Sequence, residues 1–267
     1  MSMTLPPTRS YAKIRVNYME HGVCAITLHY PERRNAIGPQ MVNELLYAIE
    51  DAREAPLVRS ILITGEGKAF CSGGDFAQMT GGADGPELPP KGDYADLLLA
   101  MVRSDKPIVA KVNGAAMGGG LGLVAASTFA VASSEAQLGT PEVNVGLFPM
   151  MIMAVLARVV PRRRLMEMML FGERLSAEEA KAVGLVNQVV APAELDGAAL
   201  AIAQKIADKS PITIALGLRA FAEQDGVALE ESLPVLRGRL GECLATDDAR
   251  EGLMAFWEKR TPQWKGR

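Results

Sequence analysis

The stretch KPIVAKVNGAAMGGGLGLVAAS, residues 106–127, places three consecutive glycines, Gly118 to Gly120, at the head of an apolar run of helical length. Each interior glycine costs a helix about 1 kcal/mol relative to alanine. A chain that keeps three of them there needs its backbone bare. The dinucleotide-binding explanation fails, because GGGLGL lacks the third glycine of GxGxxG. The position about 20 residues on, where a ribose-binding acid belongs, falls inside EAQLGTPE at the wrong spacing. No GxxxxGK[ST] loop exists either. What remains is a buried strand feeding directly into a helix whose first N–H groups are open to a ligand, either to hold an anion or to polarise a carbonyl oxygen.

A second loop of the same character lies upstream. VRSILITG, residues 58–65, reads as a short apolar strand; GKAFCSGGDFAQM, residues 67–79, follows and ends where a helix is expected to begin. Two strand-to-helix turns, each offering a bare N–H, can converge on one oxygen. Such a pair makes an oxyanion hole, in which each donor typically supplies about 3 kcal/mol of barrier lowering. The same glycines also suit tight turns and close helix packing, and neither loop alone separates the two uses.

Around these loops, strands and helices alternate. KIRVNYMEHGVCAITLHY, residues 13–30, reads as a hairpin turning near His21 and Gly22, and PERRNAIG leads through Pro39 into the amphipathic helix MVNELLYAIEDARE. A helix near 93–103 separates strand 58–65 from strand 106–116, so the fold class is α/β. TGGADGPELPPKGD, residues 80–93, has no periodicity and is expected to be a mobile surface loop. After about residue 145 the chain reads as almost wholly helical, with segments near 150–160, 162–171, 176–183, 192–209, 211–225, 228–246 and 248–258. Ser176 is an N-cap and Gly184 a stop. This suggests a core over 1–191 and a helical region over 192–267 whose many apolar residues are expected to pack between subunits.

Composition narrows the chemistry. A net charge of −3 over 267 residues leaves no basic footprint for nucleic acid, and Arg162 to Arg164 reads as a solvated first turn of a helix. The N-terminus has no apolar run of signal-peptide length and no stretch reaches 18 residues without a charge or a breaker, so a soluble, cytoplasmic protein without membrane partners is expected. Three scattered cysteines and two histidines, His21 and His29, leave no disulfide framework, no catalytic triad and no metal site. Any chemistry must rest on carboxylates or on the backbone.

NAI at 35–37, ILITGEGKAFCSGGD at 61–75, KPIVAKVNGAAMGGGLGL at 106–123, AQLGTPEVNVGLFP at 136–149, LSAEEAKAVGLVNQVV at 175–190 and EGLMAFWEKRTPQW at 251–264 follow one another over nearly the whole chain. In that order they resemble the crotonase (enoyl-CoA hydratase/isomerase) superfamily. The resemblance implies a spiral of ββα turns with a helical C-terminal trimerisation region. It also implies an acyl-CoA substrate, a homotrimer or hexamer, and no cofactor beyond the coenzyme A of the substrate. By motif position it implies that Gly74, before Asp75 in CSGGD, and Gly119, the middle residue of GGG, donate the oxyanion N–H groups. Glu142 of TPE would be the acid/base carboxylate. Around them Asp75, Gly118, Gly122 and Met150 would border the substrate. The backbone at Arg33, Arg34, Ala69, Cys71 and Ser72 would hold pantetheine and adenine, and Lys259 of EKR would reach a phosphate, in cis or from a neighbouring subunit. Ala77 stands where a basic residue is often found, which weakens one expected nucleotide contact.

The chain departs from the hydratase pattern at one position. Hydratases of this type carry a second glutamate two residues after GGG, and this chain has Gly122. The paired carboxylates that hold and activate water are reduced to one, which suits proton shuttling in double-bond isomerisation better than hydration. Two other readings stay open: a hydratase or dehydratase whose water is held by Asn144, Asp84 or Glu87, and a noncatalytic acyl-CoA-binding member. On the one-carboxylate reading, Gly122→Glu is expected to restore some hydration. Glu142 needs apolar surroundings such as Val143, Leu147 and Phe148 to raise its pKa towards neutrality. Met150 to Met153, after Phe148-Pro149, are either ordinary core or a bulky, adaptable wall for the acyl pocket.

Overall fold

The computed structural model describes residues 9–75 and 88–267. Strands β1 (Ile14–Met19) and β2 (Val23–Leu28) form the antiparallel hairpin, with Ile14 opposite Leu28 and His21 in the left-handed region at the turn. Strand β2 runs parallel to β3 (Ser60–Gly65), and β5 (Ile108–Val112), β7 (Phe129–Ser133) and β10 (Gln188–Val190) extend this sheet in the order β1-β2-β3-β5-β7-β10. A second sheet has the order β4 (Ala69–Cys71), β6 (Ala115–Met117), β8 (Gln137–Gly139) and β9 (Arg174–Ser176).

The two sheets share the chain in a regular way. Consecutive strands β3/β4, β5/β6 and β7/β8 each give one strand to each sheet, and helical chain follows, which makes a spiral of ββα turns. At the corner between β5 and β6 a Cβ on Gly114 would lie 2.1 Å from the Lys68 carbonyl oxygen, so only glycine lets adjacent turns of the spiral pass this closely. Every residue of β3 is buried, as expected for a parallel strand covered on both faces. Helix α1 (Pro39–Glu54) sends Met41, Leu45 and Ile49 into the main core. On the other face, α7 (Leu195–Ala207) lays fully buried Ala199 and Ala203 against Val23, Leu62 and Val109.

The remaining helices are α2 (Tyr94–Val102), α3 (Gly119–Ala126), α4 (Met150–Leu156), α5 (Arg162–Phe171), α6 (Ala177–Ala182), α8 (Pro211–Glu223), α9 (Leu229–Leu244) and α10 (Asp247–Glu258). Ser176 caps α6 as its sequence suggests: its hydroxyl accepts the Glu179 N–H while the Glu179 carboxylate accepts the Ser176 N–H. The almost wholly helical second half also holds two short strands, β9 and β10, which fall essentially in the gaps between the expected helices. Each is three residues long and carries an exposed polar first residue, too little for any alternation to register. Residues 88–93 form neither helix nor strand and are pinned by Asn43, which donates to the carbonyls of Leu88 and Pro89 and accepts the Lys91 N–H at 2.7 Å. The rest of the expected mobile loop, with Asp84 and Glu87, and Ala77 upstream of it lie outside the described residues. Among the described residues no helix is long and apolar enough to cross a membrane.

Candidate active site

Gly118 ends the strand-to-helix turn in a conformation that a side chain resists, φ 48° and ψ −120°, and its N–H is fixed to the Gly139 carbonyl at 2.9 Å. A Cβ here would also stand 2.8 Å from Glu142 Oε1. Glycine therefore serves twice: it permits the turn and it leaves room for the carboxylate. Gly119 opens α3, so no carbonyl one turn earlier in the helix can accept its N–H, and the positive end of the helix dipole adds to it.

The second loop brings a donor by different means. Ile37 pairs with Gly74 in a parallel bridge, donating to the Gly73 carbonyl at 2.8 Å and accepting the Asp75 N–H at 2.9 Å. In that pattern the bonds to Ile37 use the residues flanking Gly74, and the Gly74 N–H faces the other way. Gly74, Gly119 and Glu142 all line one cavity of about 430 Å³.

Glu142 sits on a 3-10 turn, Pro141–Val145, that Gly146 closes in the left-handed region. The turn is anchored by fully buried Thr140, whose hydroxyl donates to the Met168 carbonyl at 2.8 Å. Among the described residues nothing hydrogen-bonds to the buried Oε2 of Glu142. Burial pushes this carboxyl above its ordinary value of 4.5, against a smaller opposing pull from the residue's own backbone N–H. A carboxylate left without a partner costs stability, and a base that must accept a substrate proton has that requirement. If Glu142 is this base, the acid limb of kcat/KM falls as pH drops through the raised value. A pH profile should place that limb above 4.5, and one at or below it would contradict the assignment.

The cavity wall is mainly apolar. Ile37, Val42, Leu147 and Phe148 line it with the exposed Met150 and Met151 and the buried Ile152, so the methionine stretch supplies wall as well as core. Asp93 also borders the cavity, but its carboxylate caps α2 by accepting the N–H groups of Ala95 and Asp96. The third polar side chain is Tyr94, whose hydroxyl donates to the Gly119 carbonyl at 2.5 Å.

Gly122 corrects an expectation. A Cβ on residue 122 would lie 2.3 Å from the Tyr94 hydroxyl oxygen and 2.5 Å from Ile152 Cγ2. The space of a second glutamate is filled, so Gly122→Glu alone should not restore a working carboxylate pair. Asn144 is likewise not brought to the cavity; its exposed side chain lies beside Gly172.

The residues expected to hold coenzyme A form a separate cluster. The Ser72 N–H donates to the Arg34 carbonyl at 3.0 Å and its hydroxyl to the Arg33 carbonyl at 3.2 Å. Fully buried Asn35, which motif reading left without a role, ties this cluster together by accepting the Tyr30 N–H and donating to the carbonyls of Glu66 and Ala69. Cys71 is buried against Gly120, and burial raises its thiol pKa to about 12, so it is a packing residue. Asp75 is buried beside Gly74. Lys259 ends α10 exposed and lines no part of the cavity. The position of Tyr94 depends on α2 packing against α3, a contact that leaves no mark in the local sequence.

Known proteins are similar to this chain over nearly its whole length. The family model described as Enoyl-CoA hydratase/isomerase matches residues 18–267. The mitochondrial enoyl-CoA hydratase domain-containing protein 3 of Xenopus laevis is 35% identical over 256 residues, 95% of this chain and 87% of the relative. A crystal structure of an enoyl-CoA hydratase from Mycobacterium smegmatis superposes with a TM-score of 0.86 at 33% identity, covering 95% of this chain and 99% of that one. The enoyl-CoA hydratase structure from Bacillus anthracis gives 0.87 at 31% identity, covering 96% and 100%.

Proposed function

As the chain belongs to the enoyl-CoA hydratase/isomerase family, we propose that it shifts the double bond of an enoyl-CoA with an apolar acyl chain, using Glu142 alone as acid and base. Glu142 removes a proton from Cα of a 3-enoyl thioester. The negative charge that develops on the thioester oxygen is stabilised by the N–H groups of Gly74 and Gly119. The protonated Glu142 then returns the proton to Cγ, giving the 2-enoyl isomer. The observation that carries this reading is the cavity's carboxylate inventory: among the described residues Glu142 has an unpartnered oxygen, whereas Asp93 is spent on its own helix. The test is to incubate the protein with trans-3-hexenoyl-CoA and follow conversion to the 2-enoyl isomer. Saturable binding without conversion of any enoyl-CoA would favour the noncatalytic reading instead. The cluster at Arg33, Arg34 and Ser72 would carry the pantetheine and nucleotide, with Lys259 reaching a phosphate from its own or a neighbouring subunit.

The same reading includes assembly as a homotrimer or hexamer. Helices α8 to α10 leave large apolar side chains uncovered on the single chain, with Phe221 70%, Phe256 78% and Trp257 75% exposed. So many large apolar side chains left exposed are unusual on a monomer. Sedimentation at micromolar concentration should give a trimer-based species, and a monodisperse monomer would contradict it.

A further inference from the structure

Tyr94 has no part in the proton transfer above, although it lines the same cavity. We propose that Tyr94 determines reaction specificity: its hydroxyl fills the position from which a second carboxylate, or the water that carboxylate would hold, meets the substrate. This inference rests on the single-base reading of Glu142, and it explains why such a site shuttles protons and does not hydrate.

Three observations support it. The phenol oxygen lies 2.5 Å from the Gly119 carbonyl and stands where a side chain at residue 122 would begin, 2.3 Å from such a Cβ. Glycine at 122 and tyrosine at 94 thus form one packing unit, to which Ile152 also belongs. The position is also rigid. Tyr94 is the first residue of α2, which Asp93 and Asp96 hold in a reciprocal cap: the Asp93 carboxylate accepts from the helix, and the Asp93 N–H donates to Asp96 at 2.9 Å.

The chemistry of the phenol fits a plug better than an acid or a base. Burial, with the charge of Glu142 adding to it, holds the Tyr94 hydroxyl well above its ordinary pKa of 10.0, so it stays protonated. Its proton is committed to a backbone carbonyl that belongs to the same glycine as one oxyanion donor. Removing only the hydroxyl, as in Tyr94→Phe, would leave the Gly119 carbonyl without that donor beside a gap about the size of a water molecule, which a water can enter to satisfy it.

The test compares crotonyl-CoA hydration with trans-3-hexenoyl-CoA isomerisation in the wild type, Tyr94→Phe, Tyr94→Ala and Gly122→Glu, with thermal melting to establish folding. The ratio of hydration to isomerisation should rise at least about tenfold in Tyr94→Phe and further in Tyr94→Ala. Gly122→Glu alone should gain no hydration. An unchanged ratio in folded Tyr94→Phe, or a gain of hydration in Gly122→Glu with Tyr94 intact, would overturn the assignment. Should Tyr94→Ala fail to fold, the near-isosteric Tyr94→Phe decides the question. A wild-type protein that already hydrates crotonyl-CoA faster than it isomerises overturns the single-base reading itself. A wild type that isomerises, with variants that gain no hydration, overturns only the role of Tyr94.

Discussion

Glu142→Gln should lower kcat for isomerisation about 10³-fold, within the range that a positioned general base supplies, while acyl-CoA still binds. The amide keeps the shape of the carboxyl and loses its ability to accept the Cα proton. Its effect on stability should run the other way. Burial raises the Glu142 carboxyl in the folded protein above its unfolded value, so the fold favours the protonated form. That contribution is fully present below the unfolded value and is lost as pH rises through the folded one. Glutamine carries no charge at either pH. The variant should therefore melt at or above the wild-type temperature at pH 7, and its advantage should shrink as the pH is lowered through the raised pKa. Inactivity together with a clearly lower melting temperature at pH 7 would indicate that Glu142 is structural, and near-full activity would remove it from the mechanism.

The second large effect concerns the oxyanion donor. Gly119→Pro deletes one N–H at the first position of α3, where proline is tolerated, and should lower kcat about 10²-fold or more. Gly119→Ala is the matching control. Both variants bring a Cβ to about 3.0 Å from Ile37 Cγ2, so they share that contact, and only proline replaces the donor hydrogen with a ring carbon. A large loss in proline with a modest one in alanine assigns the effect to the N–H. Equal losses would assign it to packing against Ile37, and equal retention would remove Gly119 from the oxyanion hole.

These residues were legible because their chemistry leaves marks in the sequence. Three glycines at a helix start are costly unless the backbone must be approached, and the structure shows Gly118 giving way to Glu142 as well as to the turn. The absence of a carboxylate at 122 was equally plain. What fills its place was not, because Tyr94 reaches it across a contact between two helices, bonding to a residue 25 positions further along the chain. The crowding that stands against a glutamate there is hidden for the same reason: sequence records a missing side chain and not the neighbour that occupies its volume. In the fold, the hairpin and most helices follow from periodicity and caps. Strands β9 and β10 are set by pairing with β8 and β7, a tertiary choice that three residues cannot encode alone.

On the proposed mechanism, one carboxylate and two backbone donors move protons on an enoyl-CoA without delivering water. The most direct measurement is the wild-type kcat for hydration of crotonyl-CoA beside that for isomerisation of trans-3-hexenoyl-CoA. Isomerisation should be faster by about two orders of magnitude, with hydration below the roughly 10 s⁻¹ that is the median for enzymes. Hydration above about 10² s⁻¹, well over that median, would contradict it and require another group to hold the water.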